Sequence, residues 1–327
     1  MSFRSRLILL CSLIVLLTAA LVLGIVFSPD RVQARSSGRS LLSLSPEQIV
    51  GFDVMAGGSV QVSLVRNGAA WQVKADPVSY PASAPRIALF LRTVSGLTRG
   101  TLVTRDTAHF AELGITGDTA RRLVLHRTGG PDIGLTVGRR GPSGDEDYVL
   151  LDGETGVSLV RGSLGFFLSQ ERPSWYELHV LPDDVQGTTI ASVTVRGGLT
   201  VDGTVRGTID GPYALVRAQS QTAVAWSMQR EKRAVIGSAA AAMVSSLALL
   251  EGVDFTVDGL APSGPAAGVL FCDVTTLAGK GYSLVIKPGS RPGTLTVTTS
   301  WSPWTYVVNA LPLQRALLAR DALLAKP

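Results

Sequence analysis

The feature that most constrains this fold is a cycle of short segments that runs through the chain twice. The first cycle opens with Ile49–Met55, Val60–Val65 and a tryptophan-bearing strand, Ala70–Val73. Tyr80-Pro81 interrupts the pattern. Ser83–Val94 then has helical spacing behind an N-cap serine and a first-turn proline. Arg122–His126, Ile133–Val137, Tyr148–Leu151 and Val157–Val160 alternate like a strand meander, and a short helix at Gly162–Leu168 closes the cycle.

The second cycle repeats this order. Ile190–Val195, Tyr213–Val216 and a second tryptophan-bearing strand, Val224–Met228, lead to a helix at Ala234–Leu250. Val269–Val274, Tyr282–Ile286, Thr294–Thr298 and Thr305–Val308 follow, with a closing helix at Leu313–Leu324 after Pro312. Each cycle makes one apolar sheet face that needs cover, which a helix or the sister cycle can supply. The expected fold is α+β, with two similar, mainly antiparallel units at 46–183 and 184–327. Asp183-Asp184, after Leu181-Pro182, marks the linker between them.

Ahead of these units stands an uncharged apolar run, Leu7–Phe27, 21 residues long. At about 1.5 Å per residue a helix of that length spans roughly 30 Å, the thickness of a bilayer's hydrocarbon layer. Cleavable signals have shorter apolar regions, which favours a retained transmembrane helix. Cleavage after Val32-Gln33-Ala34 stays open as the alternative. A lipoprotein box around Cys11 is excluded, because Leu10 is too large for its position and most of the apolar run follows the cysteine. Arg4 and Arg6 in the short basic leader (1–6) are balanced by Arg31, Arg35 and Arg39, so flanking charge leaves orientation near a tie. The basic leader running straight into an apolar segment resembles an export signal. It places the amino terminus inside the cell and the bulk outside a bacterial plasma membrane. Residues 28–45, rich in Ser, Arg, Pro and Gly around Leu41-Leu42, read as a tether.

Composition narrows the function. Hydrophobic residues make up 46% and charged residues 17%, so the remainder can bury large cores. The net charge of +5 is scattered except at Arg121-Arg122 and Arg139-Arg140, unlike the gathered basic patch of a nucleic-acid binder. His109, His126 and His179 each stand without a second His or Cys at a ligand spacing, so no metal or cofactor is expected. Gly144-Asp145-Glu146-Asp147 lacks the ligand spacing of a calcium loop and reads as a polar hairpin. Gly138–Gly144 could cradle an anion through Arg139 and Arg140, but no helix start, P-loop lysine or hydroxyl follows. No nucleophile elbow or Ser/His/Asp constellation is present, so no catalytic residue is assigned. Trp301 and Trp304 could offer a sugar-stacking or partner-binding surface, against the alternative that both pack in the second unit.

A loose chain of features carries a resemblance. They are Trp71 in WQV, the Tyr80–Ser83 entry to a helix, Leu113-Gly114-Ile115, Gly138 ending LTVG, Asp147-Tyr148-Val149, and Val157–Val160 before a helix. Spanning about Ile49 to Val195, they resemble the bacterial domain of unknown function 4340 family, whose members often sit beside gliding-motility-type ABC transporter subunits. The resemblance implies an extracytoplasmic, membrane-anchored, non-enzymatic accessory of such a transporter complex. The alternatives are a cell-wall glycan-binding module using Trp301 and Trp304, and an enzyme with a dispersed site.

Overall fold

The computed structural model describes residues 40–201, 207–219, 224–256 and 268–326. The Leu7–Phe27 span lies outside them. Among the described residues no helix is long and apolar enough to cross a membrane. The chain is mostly β-sheet with a few helices, and it divides into two compact units, one ending at Trp175 and the other beginning at Tyr176.

The first unit holds strands β1 (Ile49–Ala56), β2 (Ser59–Asn67), β3 (Ala70–Ala75), β4 (Val78–Pro81), β5 (Thr98–Thr104), β6 (Arg121–Arg127), β7 (Ile133–Arg140), β8 (Glu146–Leu151) and β9 (Val157–Arg161). Helix α1 (Ala84–Ser95) follows β4, and α2 (Leu164–Leu168) follows β9. All nine strands form one sheet in the order β4-β3-β2-β1-β6-β7-β8-β9-β5. Every described pairing in it is antiparallel. Alternation along the strands buries Phe52, Val54, Leu64, Val73, Leu123 and Leu125 on one face. Helix α1 turns Ile87, Phe90, Leu91 and Val94 inward, an i, i+3, i+4, i+7 stripe. Phe90 reaches the sheet at Phe52, 4.3 Å between ring centroids. Trp175, fully buried at the end of the 3-10 turn Arg172–Trp175, stands edge-on to both, 5.3 Å from each.

The second unit contains β10 (Ile190–Val201), β11 (Gly207–Asp210), β12 (Tyr213–Gln219), β13 (Val224–Met228), β14 (Asp254–Thr256), β15 (Leu270–Thr276), β16 (Gly281–Pro288), β17 (Thr294–Thr299) and β18 (Thr305–Asn309). Its helices are α3 (Gly237–Ala248) and α4 (Ala310–Ala316). The order is β13-β12-β10-β15-β16-β17-β18-β14, with β11 pairing with β10 off that path.

Over eight strands, β3-β2-β1-β6-β7-β8-β9-β5 and β13-β12-β10-β15-β16-β17-β18-β14, the two sheets share order and also register, while β4 and β11 have no counterpart among the described residues. Phe52 lies between Leu64 and Leu125 as Val193 lies between Leu215 and Val274. The tryptophan strands match residue for residue, Arg66 facing Trp71 and Arg217 facing Trp226. Both first strands are irregular at the same place in their pairing with the next ladder, between Ile49 and Gly51 and between Ile190 and Ser192. Even the lead-in segments correspond. Leu41 N–H donates to the Leu97 carbonyl at 2.7 Å, and Val180 N–H to the Leu250 carbonyl at 2.9 Å. The first unit is therefore already engaged at Ser40, and Leu42 and Leu44 are buried in it.

Several elements differ from the sequence expectation. Tyr80-Pro81 does not break the sheet but ends β4, an edge strand where a missing N–H is harmless. β5 carries no apolar alternation and β14 is only three residues long, so both escape a pattern search. The closing helix begins at Ala310, with Pro312 in its first turn, where no intrahelical N–H is needed. It stops at Ala316, and a separate 3-10 turn, Arg320–Leu323, ends the unit.

Candidate functional site

Two histidines that look isolated in the sequence are each surrounded by carboxylates. In the first unit, His126 on β6 faces Gly51 on β1. A Cβ at Gly51 would come within 2.9 Å of the Leu64 carbonyl oxygen and 3.3 Å of the imidazole, so glycine leaves room for the ring across β1. Its Nε2 then reaches Asp53 at 3.1 Å and its Nδ1 reaches Asp132 at 2.9 Å. Burial pushes the imidazole pKa down, but the bonds and charges of Asp132 and Asp53 outweigh it and hold it above its ordinary value. The corresponding positions in the second unit are Thr275 and Thr194. The fold repeats the strands without repeating this cluster.

The second cluster sits where the second unit starts. His179 forms an antiparallel bridge with Glu251, bracketed by Val180 N–H to the Leu250 carbonyl and Gly252 N–H to the Leu178 carbonyl. That pairing fixes the imidazole among three acids. Nδ1 lies 2.6 Å from Glu177 and 3.8 Å from Asp183, and Nε2 lies 3.0 Å from Glu251. Partial burial again lowers the ring's pKa, and Glu177 first, then Glu251 and Asp183, raise it above the ordinary value. Ligand atoms of Glu177, His179 and Asp183 lie within 4.8 Å of one another, a spacing a divalent cation could bridge if it displaced the proton.

Beside this cluster a cleft of about 390 Å³ opens between the lead-in segment and the end of α3. His179 and Asp183 stand in its wall, with Val185, Gly187, Ser245 and Leu249 among the rest of the lining. Gly187 brings the segment against the helix: a Cβ there would lie 3.0 Å from Ser245 Cα. Leu249, just past the helix end, is 73% exposed.

Trp301 is half-buried and meets Tyr282 edge-on at 5.2 Å, while Trp304 is half-buried with Phe255 at 6.3 Å. The two indoles thus lean on different rings. Arg139 and Arg140 are exposed at the end of β7, and Arg140 faces Asp147 across to β8. Asp147 is buried and accepts the Gly165 N–H at 2.8 Å. Burial raises its carboxyl pKa, against the opposing pull of that N–H and of Arg140. Cys272 is a buried strand residue, and burial pushes its thiol pKa up.

The motif residues of the first unit join into two contacts. A Cβ at Gly138 would run into the Leu113 carbonyl oxygen, the group that accepts the Arg139 N–H at 2.9 Å. Ile115 packs with Phe110 and Val157, and Tyr148 covers them. A family model described as a domain of unknown function (DUF4340) matches residues 71–267, more than half of the 327-residue chain. The chain belongs to the DUF4340 family. The match opens on Trp71 in β3 and closes just ahead of β15, so the DUF4340 region takes in parts of both units. No curated protein and no solved structure matches the chain.

The acidic setting of His179 had a faint local signal in Glu177-x-His179-x-x-x-Asp183. Glu251 had none, because only the bridge brings it there. The same holds for His126 and Asp53, 73 residues apart.

Proposed function

We propose that this DUF4340 chain is a membrane-anchored, extracytoplasmic accessory protein of an ABC-type transporter complex, without catalysis of its own. The observation that carries the reading is the spacing between the uncharged run Leu7–Phe27 and Ser40, where the first unit is already paired. Only residues 28–39 separate them, and at about 3.5 Å per extended residue they reach roughly 40 Å. That tether keeps the first unit within a short distance of the bilayer, where a multi-spanning partner would be met. Two units with one strand order read as an internal duplication. One face of each sheet serves its own core, and the charged residues on the other face differ from unit to unit. In this reading the shared core is scaffold and the differing surface meets partners.

The test of anchoring and side is labelling of cysteines placed in exposed turns, Ser143→Cys in the first unit and Ser290→Cys in the second, in intact and in lysed cells. With a membrane-impermeant maleimide that crosses only the outer layers of the envelope, both positions are expected to label before lysis, and the protein to stay in the membrane pellet after an alkaline wash. Labelling only after lysis would put the bulk in the cytoplasm and overturn the proposal.

A further inference from the structure

His126 is held as only one protonation state of its ring can satisfy. Both nitrogens lie against carboxylate oxygens, Nδ1 2.9 Å from Asp132 and Nε2 3.1 Å from Asp53. An ionised carboxylate accepts hydrogen bonds without donating, and a neutral imidazole carries a single N–H. The imidazolium therefore fills both bonds, whereas the neutral ring turns a bare lone pair on one of the acids. Asp53 belongs to β1, and Asp132 ends the turn between β6 and β7. The ring thus ties that turn to a neighbouring strand. Asp53 is the more sheltered acid, its side chain 25% exposed against 54% for Asp132. The sheltered acid keeps the remaining N–H, and Asp132, which water can solvate, lets go. The second unit makes the corresponding turn without a titrating group, with Thr275 and Thr194 at the register of His126 and Asp53. Leu277 N–H donates to the Thr189 carbonyl there, as Thr128 N–H does to the Gln48 carbonyl. In the first unit a mid-strand glycine, Gly51, admits the ring at some cost to the strand.

We propose that His126 is a pH-sensitive latch, fastening the β6–β7 turn to β1 while its ring is protonated and releasing it when the ring is neutral. Burial opposes the charged ring, but Asp132 and Asp53 outweigh it, so in the folded unit it titrates above the ordinary value of about 6.5. The latch's contribution to the fold is complete below that ordinary value and is lost as the pH rises through the raised one. Arg122, on the same face of β6, binds Asp152 at 2.6 and 3.0 Å, and Arg127 donates to the Pro131 carbonyl at 2.7 Å. Glu47, ahead of β1, has Arg66 as a charged neighbour. Lys74 lies in the row of Asp53 two strands away, across Ser63. Imidazole is the side chain whose charge ordinarily changes between about pH 5 and 8, so it sets the response. The latch lies on the face away from the core, where the units differ, so pH alters the surface the first unit offers. That consequence rests on the partner reading above, while the latch itself does not.

The experiment uses the full-length chain in nanodiscs of zwitterionic lipid. Amide hydrogen exchange is followed by mass spectrometry from about pH 5.5 to about pH 9, each rate divided by the intrinsic rate at that pH. Protection over residues 128–134 is expected to fall about two- to fivefold as the ring loses its proton, the worth of a partly exposed ion pair. Protection over residues 277–283, the corresponding turn of the second unit, stays constant. His126→Gln abolishes the step and leaves the turn at its high-pH level throughout. Asp132→Asn also abolishes it, and moves the titration of the imidazole, read by exchange at its ring carbon, back toward the ordinary value. Constant protection over 128–134 in the parent chain, or a step that survives His126→Gln, overturns the proposal. So does an equal step over 277–283, which would mark a general loosening. Failure of the partner reading would leave the exchange result standing, so the two failures are distinguishable.

Discussion

Trp175→Ala destabilises the first unit by about 3–5 kcal/mol, the range for deleting a large aromatic from a packed core. Trp175 is fully buried and contacts Phe52, Phe90 and Phe167 at ring-centroid distances of 5.3, 5.3 and 6.2 Å. These rings join β1, α1 and α2, so the cavity opens where sheet and helices meet. The Arg86 guanidinium lies over the indole, 5.2 Å from its centroid, and would lose that face as well. The indole N–H has no hydrogen-bond partner among the described residues, so Trp175→Phe gives up volume and ring face alone and is expected to cost less than half as much. Hydrogen exchange read over β1, β2 and β6 measures both. Protection there should collapse in the alanine variant and persist in the phenylalanine one. Unchanged protection in Trp175→Ala would show that the aromatic cluster does not hold the unit together.

Gly138→Ala is the second large effect, and its cause is backbone contact, not lost volume. An added methyl meets the Leu113 carbonyl oxygen, with the Gly114 carbonyl carbon at 3.0 Å and Ile115 Cδ1 at 3.1 Å. Gly114 is itself held at φ +70, with Arg139 N 3.0 Å from where its own Cβ would be. The loop cannot retreat without breaking the Arg139 N–H bond to Leu113. Overpacking costs about 1–3 kcal/mol, and the lost bond adds about 1 more. A urea melt of Gly138→Ala should show that loss with an unchanged slope. A Gly138→Ala midpoint equal to the parent's would contradict the account of the loop.

These two positions show what the sequence made legible. Gly138 and Leu113-Gly114-Ile115 stand out as separate motif fragments, and the structure makes them two sides of one contact. The apolar alternation of β1, β6 and β15 located those strands to within a residue or two, because one face of each sheet must be buried. β5 failed the same test because Thr98–Thr104 is nowhere fully buried and has no period to read. β4 was hidden by Pro81, which an edge strand tolerates. Asp53 at His126 and Glu251 at His179 come from distant parts of the chain and are brought there by register, which no spacing reveals. Trp175 gave no signal of its own, since a lone tryptophan in a polar stretch does not reveal which core it enters.

The most direct test of the central claim is capture of the tagged full-length protein from its native membrane in mild detergent, with identification of what accompanies it. Recovery of an ABC permease or ATPase in stoichiometric amounts is the predicted result. Recovery of the folded protein alone, under conditions that keep such transporters assembled, would contradict it.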